Sequence, residues 1–381
     1  MITSLLDTDL YKFTMMQVVW GRFPQAQAEY AFQCRTKDAD LAPFAAEIRA
    51  ELDKLATLRL QPDEAAFLRS IRYLRPEFVD FLEHVTLDPR QIELTTEGGF
   101  ALRIRGPWLA TILFEVPVLA TINEVWSRHH FPLTPEREAE GLRRLEEKLG
   151  QLTSAAVPLN VMEFGTRRRY SQAWQERVTA RLAPHLIGTS NVHLAHKLGL
   201  KPFGTMAHEF LQAGQALAPL LQSQKLMLEE WMQFYRGDLG IALSDVFGFD
   251  AFLADFDRLF AKAYDGCRHD SGDPAAWGER LLAHYEALGV DARAKTAVFS
   301  DGLNIPKAIA LAERFDGRIR TIFGIGTDLS NDLGDKALQI VLKLVRLNGQ
   351  PVVKLSDSPG KAITDDAAYL EYVRGMFAPH E

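Results

Sequence analysis

The stretch around which the chain is organised reads Gly204-Thr205-Met206-Ala207-His208-Glu209-Phe210. The short, mainly apolar segment 200–203 before it is typical of the end of a buried strand, and a helical pattern begins at Phe210. His208 therefore lies where a strand passes into a helix, a position at which helix N–H donors and a partial positive charge favour reactive side chains. A neutral imidazole there is an available nucleophile or base, although a histidine that only caps the helix also fits. Glu209 is expected either to orient a ring or to face solvent.

Strand and helix patterns alternate on both sides of this stretch, from about residue 136 onward. Seven strand-then-loop units lie between residues 160 and 327, with strands expected near residues 161, 186, 200, 240, 264, 295 and 321. Such alternation predicts a parallel sheet with right-handed crossovers. Because many units of even length occur without a GxGxxG start, a closed or nearly closed α/β barrel is favoured over a doubly wound sheet.

The N-terminal part has a different pattern. Residues 27–36 alternate apolar and polar side chains like a half-buried strand, and residues 92–104 predict a hairpin with its turn at Glu97-Gly98-Gly99. These features predict an α+β domain on an antiparallel sheet, to which two strands around Asn348-Gly349 return. The predicted fold class is therefore α/β, with two domains. The division is an α/β barrel at residues 116–346 and an α+β domain formed by residues 1–115 and 347–381.

The composition limits the classes of protein that fit. The 381 residues are 47% hydrophobic and leave room for a barrel of roughly 200–250 residues plus a smaller domain. A net charge of −7 argues against a nucleic-acid-binding protein, which needs a clustered basic surface. Two distant cysteines, Cys34 and Cys267, suit a reducing cytoplasm. The N-terminus lacks a signal-peptide pattern, and no apolar run of about 18 residues is expected to span a membrane.

Polar clusters follow nearly every strand of the predicted barrel. In a barrel, the segments after the strands all project to one face, which is the face that carries active sites. We therefore expect these clusters to form one active-site mouth. They are Gly165-Thr166-Arg167-Arg168-Arg169, Gly188-Thr189-Ser190-Asn191, Thr205 to His208, Ser244-Asp245, Arg268-His269-Asp270-Ser271-Gly272-Asp273, Ser300-Asp301-Gly302 with Asn304, and Gly324-Ile325-Gly326-Thr327-Asp328.

The residue types in these clusters indicate an anionic substrate. The segment 324–327, Gly-Ile-Gly-Thr, offers backbone N–H groups and a hydroxyl as a phosphate cradle, with a plain tight turn as the alternative. The arginines at 167–169 and Arg268 suit phosphates or a carboxylate, with a solvated face as the alternative for the triple arginine. Asp270, Asp273 and Asp301 are candidate ligands of Mg²⁺ or of ribose hydroxyls, although aspartate is common at turns. Together they suggest a multiply phosphorylated sugar handled with Mg²⁺.

The N-terminal segment mixes acidic, aromatic and methionine residues between residues 5 and 16. Composition alone favours a helix that docks by its Leu, Phe and Met face. The functional alternative is an ordered segment that lends Tyr11 to a ligand.

Seven segments, taken in order, resemble the nicotinate phosphoribosyltransferase family. They run from residue 5 to residue 361 and so cover nearly the whole chain. The segments are LLDTDLYKFTMM at 5–16, EFGTRR at 163–168, GTMAHEF at 204–210, RHDSGD at 268–273, SDGLN at 300–304, FGIGTDL at 323–329 and VKLSDSPGK at 353–361.

This resemblance implies a type II phosphoribosyltransferase with an irregular α/β barrel and an open-faced sandwich domain. It implies that nicotinate displaces diphosphate from phosphoribosyl diphosphate, which gives nicotinate mononucleotide for NAD synthesis in the cytoplasm. It further implies that ATP hydrolysis is coupled to the transfer through a transient phosphohistidine, and His208 occupies that position.

The resemblance also assigns roles to single residues. Tyr11 matches a ring-stacking tyrosine that is usually presented across the interface of a homodimer with shared sites. Thr205 and Arg268 match nicotinate-contacting positions, and Thr327 matches a position on the phosphoribosyl substrate. The predicted substrate-binding set is Tyr11, Thr205, Arg268, Arg167, Asp270, Ser271, Gly272, Asp301, Gly326 and Thr327, with Asp270 and Asp301 holding Mg²⁺ through substrate phosphates.

Two alternatives remain open at this point. A sister activity on the same scaffold would use nicotinamide or quinolinate, and a carboxylate-binding arginine favours an acid over the amide. A non-catalytic metabolite-binding barrel would not need His208 together with the acidic loops and the glycine-containing loop.

Overall fold

Two β-sheets organise the fold, which a computed structural model describes for residues 1–355, 357 and 364–377. Within these residues, five strands form an antiparallel sheet and six form a parallel sheet. The strands are β1 (Gln27–Cys34), β2 (Ile92–Thr95), β3 (Ala101–Pro107), β4 (Val161–Glu163), β5 (Leu186–Thr189), β6 (Ile241–Leu243), β7 (Gly266–His269), β8 (Thr296–Phe299), β9 (Arg320–Ile325), β10 (Ile340–Leu347) and β11 (Gln350–Pro351).

Helices connect and cover these strands. They are α1 (Leu10–Arg22), α2 (Ala45–Asp53), α3 (Pro62–Ser70), α4 (Pro76–Glu83), α5 (Trp108–Thr111), α6 (Glu115–His130), α7 (Pro135–Ser154), α8 (Gln172–Leu182), α9 (Val192–Leu198), α10 (His208–Ala213), α11 (Leu220–Tyr235), α12 (Phe249–Asp255), α13 (Arg258–Ala263), α14 (Pro274–Ala287), α15 (Ile305–Phe315), α16 (Thr327–Ser330) and α17 (Ala367–Phe377). A short 3₁₀ turn, Thr166–Arg168, follows β4.

The parallel sheet has the strand order β5-β4-β9-β8-β7-β6, so β5 and β6 are its edges. The strand predicted near residue 200 is reduced to one parallel bridge between Thr189 and Pro202. Phe203 donates its N–H to the Thr189 carbonyl at 2.8 Å, and the Thr205 hydroxyl donates to the Ile241 carbonyl at 3.1 Å. The segment before His208 thus spans the gap between the two edge strands. The predicted irregular α/β barrel is confirmed, with this segment where a regular seventh strand was expected.

The antiparallel sheet has the order β11-β10-β1-β3-β2. The predicted hairpin and the return of the chain after the barrel are both present. Because β10 begins at Ile340, the returning strand includes residues that the division at 346/347 assigned to the barrel. The division itself stays a prediction. Residues 356–361, the end of the segment VKLSDSPGK, lie outside the described residues apart from Asp357.

The N-terminal helix α1 is buried along most of its length. Leu10, Phe13 and Met16 are fully inaccessible, as the apolar-face interpretation predicted. The helix begins against the stretch that leads to His208, since a Cβ on Gly204 would lie only 2.8 Å from the Tyr11 backbone nitrogen. Only glycine permits this approach of backbone to backbone.

One helical stretch differs from the sequence-based expectation on membrane spans. Residues 108–130, from α5 through α6, are long and apolar enough by composition to cross a bilayer. However, 83% of their most apolar window is buried inside the protein. This stretch is therefore packed as a core helix of the fold.

A buried ion pair ties the segment before α1 to the turn after β4. Both Nη atoms of Arg169 donate to the two carboxylate oxygens of Asp7, each at 2.8 Å, and Nη1 also donates to Gln175 at 3.2 Å. Burial alone would raise the pKa of Asp7, but the Arg169 guanidinium holds it below its usual value. Arg169 is thus a structural residue of the arginine triplet.

Arg169→Met is expected to destabilise the protein by about 3–5 kcal/mol, because it leaves the buried Asp7 carboxylate without its counter-charge. Denaturant unfolding followed by circular dichroism measures this loss. Arg177→Met is the matched control, since Arg177 and Glu138 form a half-exposed pair that contributes at most about 1 kcal/mol. Equal losses in the two variants would contradict the structural role of Arg169.

Candidate active site

A cavity of about 700 Å³ lies at the carboxyl ends of the parallel strands, where the antiparallel sheet faces the barrel. Its wall includes residues that follow β4, β7, β8 and β9, together with residues of β10 and the end of β1. The predicted site residues in this wall are Tyr11, Arg167, His208, Arg268, Asp270, Asp301, Gly326 and Thr327. The inference that the post-strand loops converge on one mouth therefore holds for most of the predicted set.

The remaining predicted residues do not line the cavity. Thr205 uses its hydroxyl to hold Ile241, while Ser271 donates its hydroxyl to Asp245 at 2.6 Å. Gly272 adopts φ +82° in the turn after β7, which favours glycine. The Asp273 carboxylate accepts the N–H of Ala276 and caps α14, so it is a helix cap. These four residues therefore lie outside the cavity wall.

His208 opens the helix α10 and is 6% exposed. Its Nε2 lies 2.7 Å from Asp245 Oδ1 and 3.6 Å from Asp270 Oδ2. Asp245 follows β6 and Asp270 follows β7, so neighbouring parallel strands bring the two carboxylates to one ring nitrogen. If Nε2 carries the ring proton for Asp245, the lone pair of the neutral ring is on Nδ1.

Asp245 is held from three sides. Its Oδ2 contacts Lys354 Nζ at 2.7 Å and accepts the Ser271 hydroxyl, while Oδ1 faces His208. Burial would raise the pKa of Asp245, but its contacts with His208 and Lys354 outweigh burial and hold the pKa well below its usual range. Asp245 is therefore an anion at neutral pH.

For His208, by contrast, the surroundings favour the neutral form. Burial and the neighbouring Lys354 ammonium lower its pKa to about 4, against the opposing effect of Asp245. The imidazole is therefore neutral at physiological pH and keeps a lone pair. This is the state that a nucleophile or general base requires.

Several basic side chains also line the cavity. Burial and the nearby charge of Arg167 lower the pKa of Arg168 to about 10. Burial and the charge of Lys354 lower the pKa of Lys343 to about 7. Cations that suppress one another's pKa values in this way form a surface suited to a polyanion. The arginine triplet is thus divided, since its first two members line the cavity and Arg169 does not.

Sequence reasoning missed the cavity residues Arg35, Lys343 and Lys354. All three lie on the antiparallel sheet or just after its strands. Lys343 occupies a half-buried position between Leu342 and Leu344, which in a sequence is indistinguishable from an outward-facing lysine. For Lys354 the available signal was its place in the segment VKLSDSPGK.

Tyr11 is 6% exposed and lines the cavity of its own chain. The ring is buried because the apolar face of α1 packs against the rest of the same chain. Burial raises the pKa of the Tyr11 phenol well above its usual value. The Tyr11 ring is available to the cavity without a second subunit.

Arg268, in β7, reaches the cavity between the acidic loops. Its Nε is buried and has no hydrogen-bond partner among the described residues. An unsatisfied buried guanidinium N–H is costly, so the group is suited to an anionic ligand that would complete its hydrogen bonding.

Three groups are close enough to share a cation. The donor atoms of His208, Asp245 and Asp270 lie within 4.8 Å of one another. Both carboxylate oxygens of Asp245 already contact His208, Ser271 or Lys354, so Asp270 is the better oxygen donor of the two aspartates. Asp301 lies in the same cavity wall but outside this cluster.

Comparison with known proteins gives a consistent result. The model of the nicotinate phosphoribosyltransferase (NAPRTase) family matches residues 159–381, and the model of the NAPRTase N-terminal domain matches residues 6–123. A relative from Cupriavidus necator named nicotinate phosphoribosyltransferase is 56% identical over 387 residues, covering 99% of this chain and 98% of that protein.

Solved structures agree with this result. A nicotinate phosphoribosyltransferase structure from Vibrio cholerae has a TM-score of 0.94 at 39% identity, covering 99% of this chain and 94% of the other. One from Porphyromonas gingivalis has a TM-score of 0.93 at 35% identity, covering 99% and 100% of the two chains.

The titration midpoint of His208 is expected near pH 4, because burial disfavours its charged form. Lys354→Met should raise this midpoint by removing a repelling charge. NMR of ¹⁵N-labelled histidines, assigned with a His208→Gln variant, measures both values. Lys197→Met, a half-exposed lysine paired with Glu176, is the control and should leave the midpoint unchanged. A midpoint at or above 6.5 in the parent protein would contradict the electrostatic argument.

The same shift has a consequence for stability. Because the folded-state pKa lies below the unfolded value of 6.5, the unfolded chain binds this proton more readily. The contribution of neutral His208 to stability is therefore complete above about pH 6.5 and is lost as the pH falls through about 4.

Proposed function

The chain belongs to the nicotinate phosphoribosyltransferase family, and we propose that it couples the transfer of a phosphoribosyl group to nicotinate with ATP hydrolysis at His208. The overall reaction converts nicotinate, phosphoribosyl diphosphate, ATP and water into nicotinate mononucleotide, diphosphate, ADP and phosphate. Its product serves NAD synthesis by salvage of nicotinate. The observation that carries the coupling proposal is a buried, neutral imidazole between two carboxylates at the wall of a strongly cationic cavity.

In the transfer step, the ring nitrogen of nicotinate attacks the anomeric carbon of the ribose while the bond to diphosphate breaks. Positive charge develops on the sugar and negative charge on the leaving group, so fixed charges in a dry cavity lower the barrier. Arg167, Arg168 and Lys343 are assigned to the phosphates. Gly326 and Thr327, where α16 begins, are assigned to the phosphoribosyl substrate.

Nicotinate is assigned to the pocket formed by Arg268 and Tyr11. The unpaired Nε of Arg268 suits the carboxylate, and the buried Tyr11 ring offers a stacking surface for the pyridine. Nicotinamide lacks the negative charge that this guanidinium would pair with. The arrangement therefore favours the acid over the amide.

His208 provides the coupling to ATP. Nδ1 attacks the γ-phosphorus of ATP, the bond to ADP breaks, and the proton on Nε2 stays hydrogen-bonded to Asp245, which stabilises the positive charge of the substituted ring. Water later cleaves the N–P bond, releases phosphate and restores the neutral imidazole. The added phosphate carries roughly −1.5 to −2 charges, if it behaves like other phosphorylated residues, and attracts the cationic wall.

The donor chemistry of the cavity fits Mg²⁺. Asp270 and Asp301 offer the hard oxygen ligands that Mg²⁺ prefers, usually shared with substrate phosphates. When bound there, Mg²⁺ would neutralise negative charge on the departing diphosphate. Asp245 is excluded as a principal ligand because Lys354, Ser271 and His208 occupy its oxygens.

The homodimer with shared sites and the cytoplasmic location both stay proposals. The dimer is implied by the family resemblance alone. Light scattering combined with activity measurements tests the dimer, and a fully active monomer would contradict a shared site.

A direct assay tests the reaction itself. The pure protein is incubated with Mg²⁺ and phosphoribosyl diphosphate, together with nicotinate, nicotinamide or quinolinate, with and without ATP. Mononucleotide and diphosphate from nicotinate, increased by ATP and accompanied by ADP, are the expected products. Product from another base would overturn the assignment of the Arg268 pocket, and no product at all would favour a binding protein.

His208→Ala is expected to abolish ATP hydrolysis and its stimulation of transfer while leaving slow, uncoupled transfer. The reason is that the variant keeps the substrate cavity but lacks the nucleophile. Release of ADP and mononucleotide, followed in the same reaction, measures the two activities separately. Retention of ATP coupling in this variant would rule out a phosphohistidine at this position.

Arg268→Ala is expected to raise the Michaelis constant for nicotinate roughly 10- to 100-fold, the range for a lost hydrogen bond to a charged group. Steady-state kinetics at saturating phosphoribosyl diphosphate provide the measurement. Arg280→Ala is the control, because Arg280 lies on the half-exposed outer face of α14 and pairs with Asp250. An unchanged constant in Arg268→Ala would remove this residue from the nicotinate pocket.

A further inference from the structure

A line of buried charges joins the cavity to the residue that follows His208. Glu115 Oε1 lies 3.5 Å from Arg167 Nη1, and Glu115 Oε2 lies 2.6 Å from Lys12 Nζ. Lys12 Nζ in turn lies 2.5 Å from Glu209 Oε2. The Lys12 side chain is completely inaccessible to solvent, and those of Glu209 and Glu115 are nearly so. We call these four residues the charge relay.

Glu209 is bound entirely from outside the barrel. Besides Lys12 in α1, it accepts hydrogen bonds from the Tyr30 hydroxyl in β1 and from Trp108 Nε1 in α5, the latter at 2.7 Å. The sequence-based expectation that Glu209 faces solvent is therefore wrong, whereas its hydrogen bond to the Trp108 indole fits the alternative that it orients a ring. Its carboxylate fastens the first turn of α10, and with it the backbone of His208, to the antiparallel part of the chain.

The charges within the relay are balanced, since two cations alternate with two anions. Burial would raise the pKa of Glu115, but Lys12 and Arg167 outweigh it and lower the pKa to about 2. Glu115 therefore divides one negative charge between a buried lysine and an arginine of the cavity wall. The Arg167 contact is the longer of the two, so it is the contact that a competing anion would weaken first.

We infer that Lys12, Glu115 and Glu209 are positioning residues that couple the binding of a phosphate anion at Arg167 to the placement of His208. This inference rests on the proposed ATP-coupled function. A phosphate at Arg167 draws the guanidinium away from Glu115, and Glu115 then holds Lys12 more strongly. The contact between Lys12 and Glu209 is weakened as a result. Because linkage is reciprocal, a change at His208 and Glu209 alters the affinity of Arg167 for the phosphate by the same factor.

Glu209→Gln tests the inference because it keeps the shape of the side chain and removes its charge. The expected result is a rise of roughly 5-fold or more in ATP hydrolysed per mononucleotide formed, the lower bound for a typical coupling between sites. The effect of ATP on the Michaelis constant for phosphoribosyl diphosphate should fall by a similar factor. Glu64→Gln is the matched control, since Glu64 is equally buried but accepts from Ser4 and Gln61, away from the relay. The control should keep the parent ratio.

A double-mutant cycle distinguishes the relay from a general loss of stability. If Glu115 and Glu209 act through Lys12, the variant carrying both glutamines should be no more uncoupled than the more affected single variant. Effects that multiply would show that the two glutamates act independently and would overturn the inference. Should Glu209→Gln fail to fold, Glu115→Gln and Tyr30→Phe perturb the relay more mildly, and unchanged ratios in both would overturn it.

Different results would contradict the proposed ATP coupling and the proposed role of the charge relay. A parent enzyme that forms mononucleotide without consuming ATP would contradict the proposed ATP coupling itself. A parent enzyme that is tightly coupled, together with folded relay variants that are equally coupled, would contradict only the role of the relay.

Discussion

The site depends on one buried carboxylate, that of Asp245, which follows the edge strand β6 of the parallel sheet. An anion in this position is stable only because Lys354 and Ser271 neutralise and hydrogen-bond it on one side and His208 contacts it on the other. Lys354 comes from the end of the chain, after the antiparallel sheet has been completed. The same contact that stabilises Asp245 therefore brings the C-terminal return against the barrel and closes one wall of the cavity.

Both parts of the chain contribute charged groups to that cavity, and the barrel side also carries the cations Arg167, Arg168 and Arg268. The barrel loops bring the acids Asp270 and Asp301, whereas the antiparallel sheet brings Lys343 and, through the following segment, Lys354. Burial favours the neutral form of each group, so it raises the pKa of a carboxyl and lowers the pKa of a lysine. Nearby opposite charges act against both shifts. His208, which is deeply buried and repelled by the charge of Lys354, loses its own charge, while Asp245 keeps its charge. A neutral imidazole and a carboxylate anion thus lie a hydrogen bond apart.

The buried N-terminal helix connects these features. It supplies Tyr11 to the cavity and Lys12 to the charge relay, and its start is packed against the segment that closes the barrel. An N-terminal segment with this many contacts is part of the site. The family matches over residues 6–123 and 159–381 are consistent with a chain in which both parts are needed.

The sequence by itself determined the alternation of strands and helices, the barrel, the return to an antiparallel sheet, and the position of His208 at the start of a helix, although the strand expected before it is only a single bridge. These features follow from local periodicity and from the rule that loops after parallel strands share one face. Only the tertiary structure decided that Arg167 and Arg168 line the cavity while Arg169 pairs with Asp7, that Tyr11 is buried, and that Lys343 and Lys354 belong to the site. Each of those outcomes depends on contacts between segments far apart in the chain, and on the burial that such contacts create, neither of which a local pattern contains.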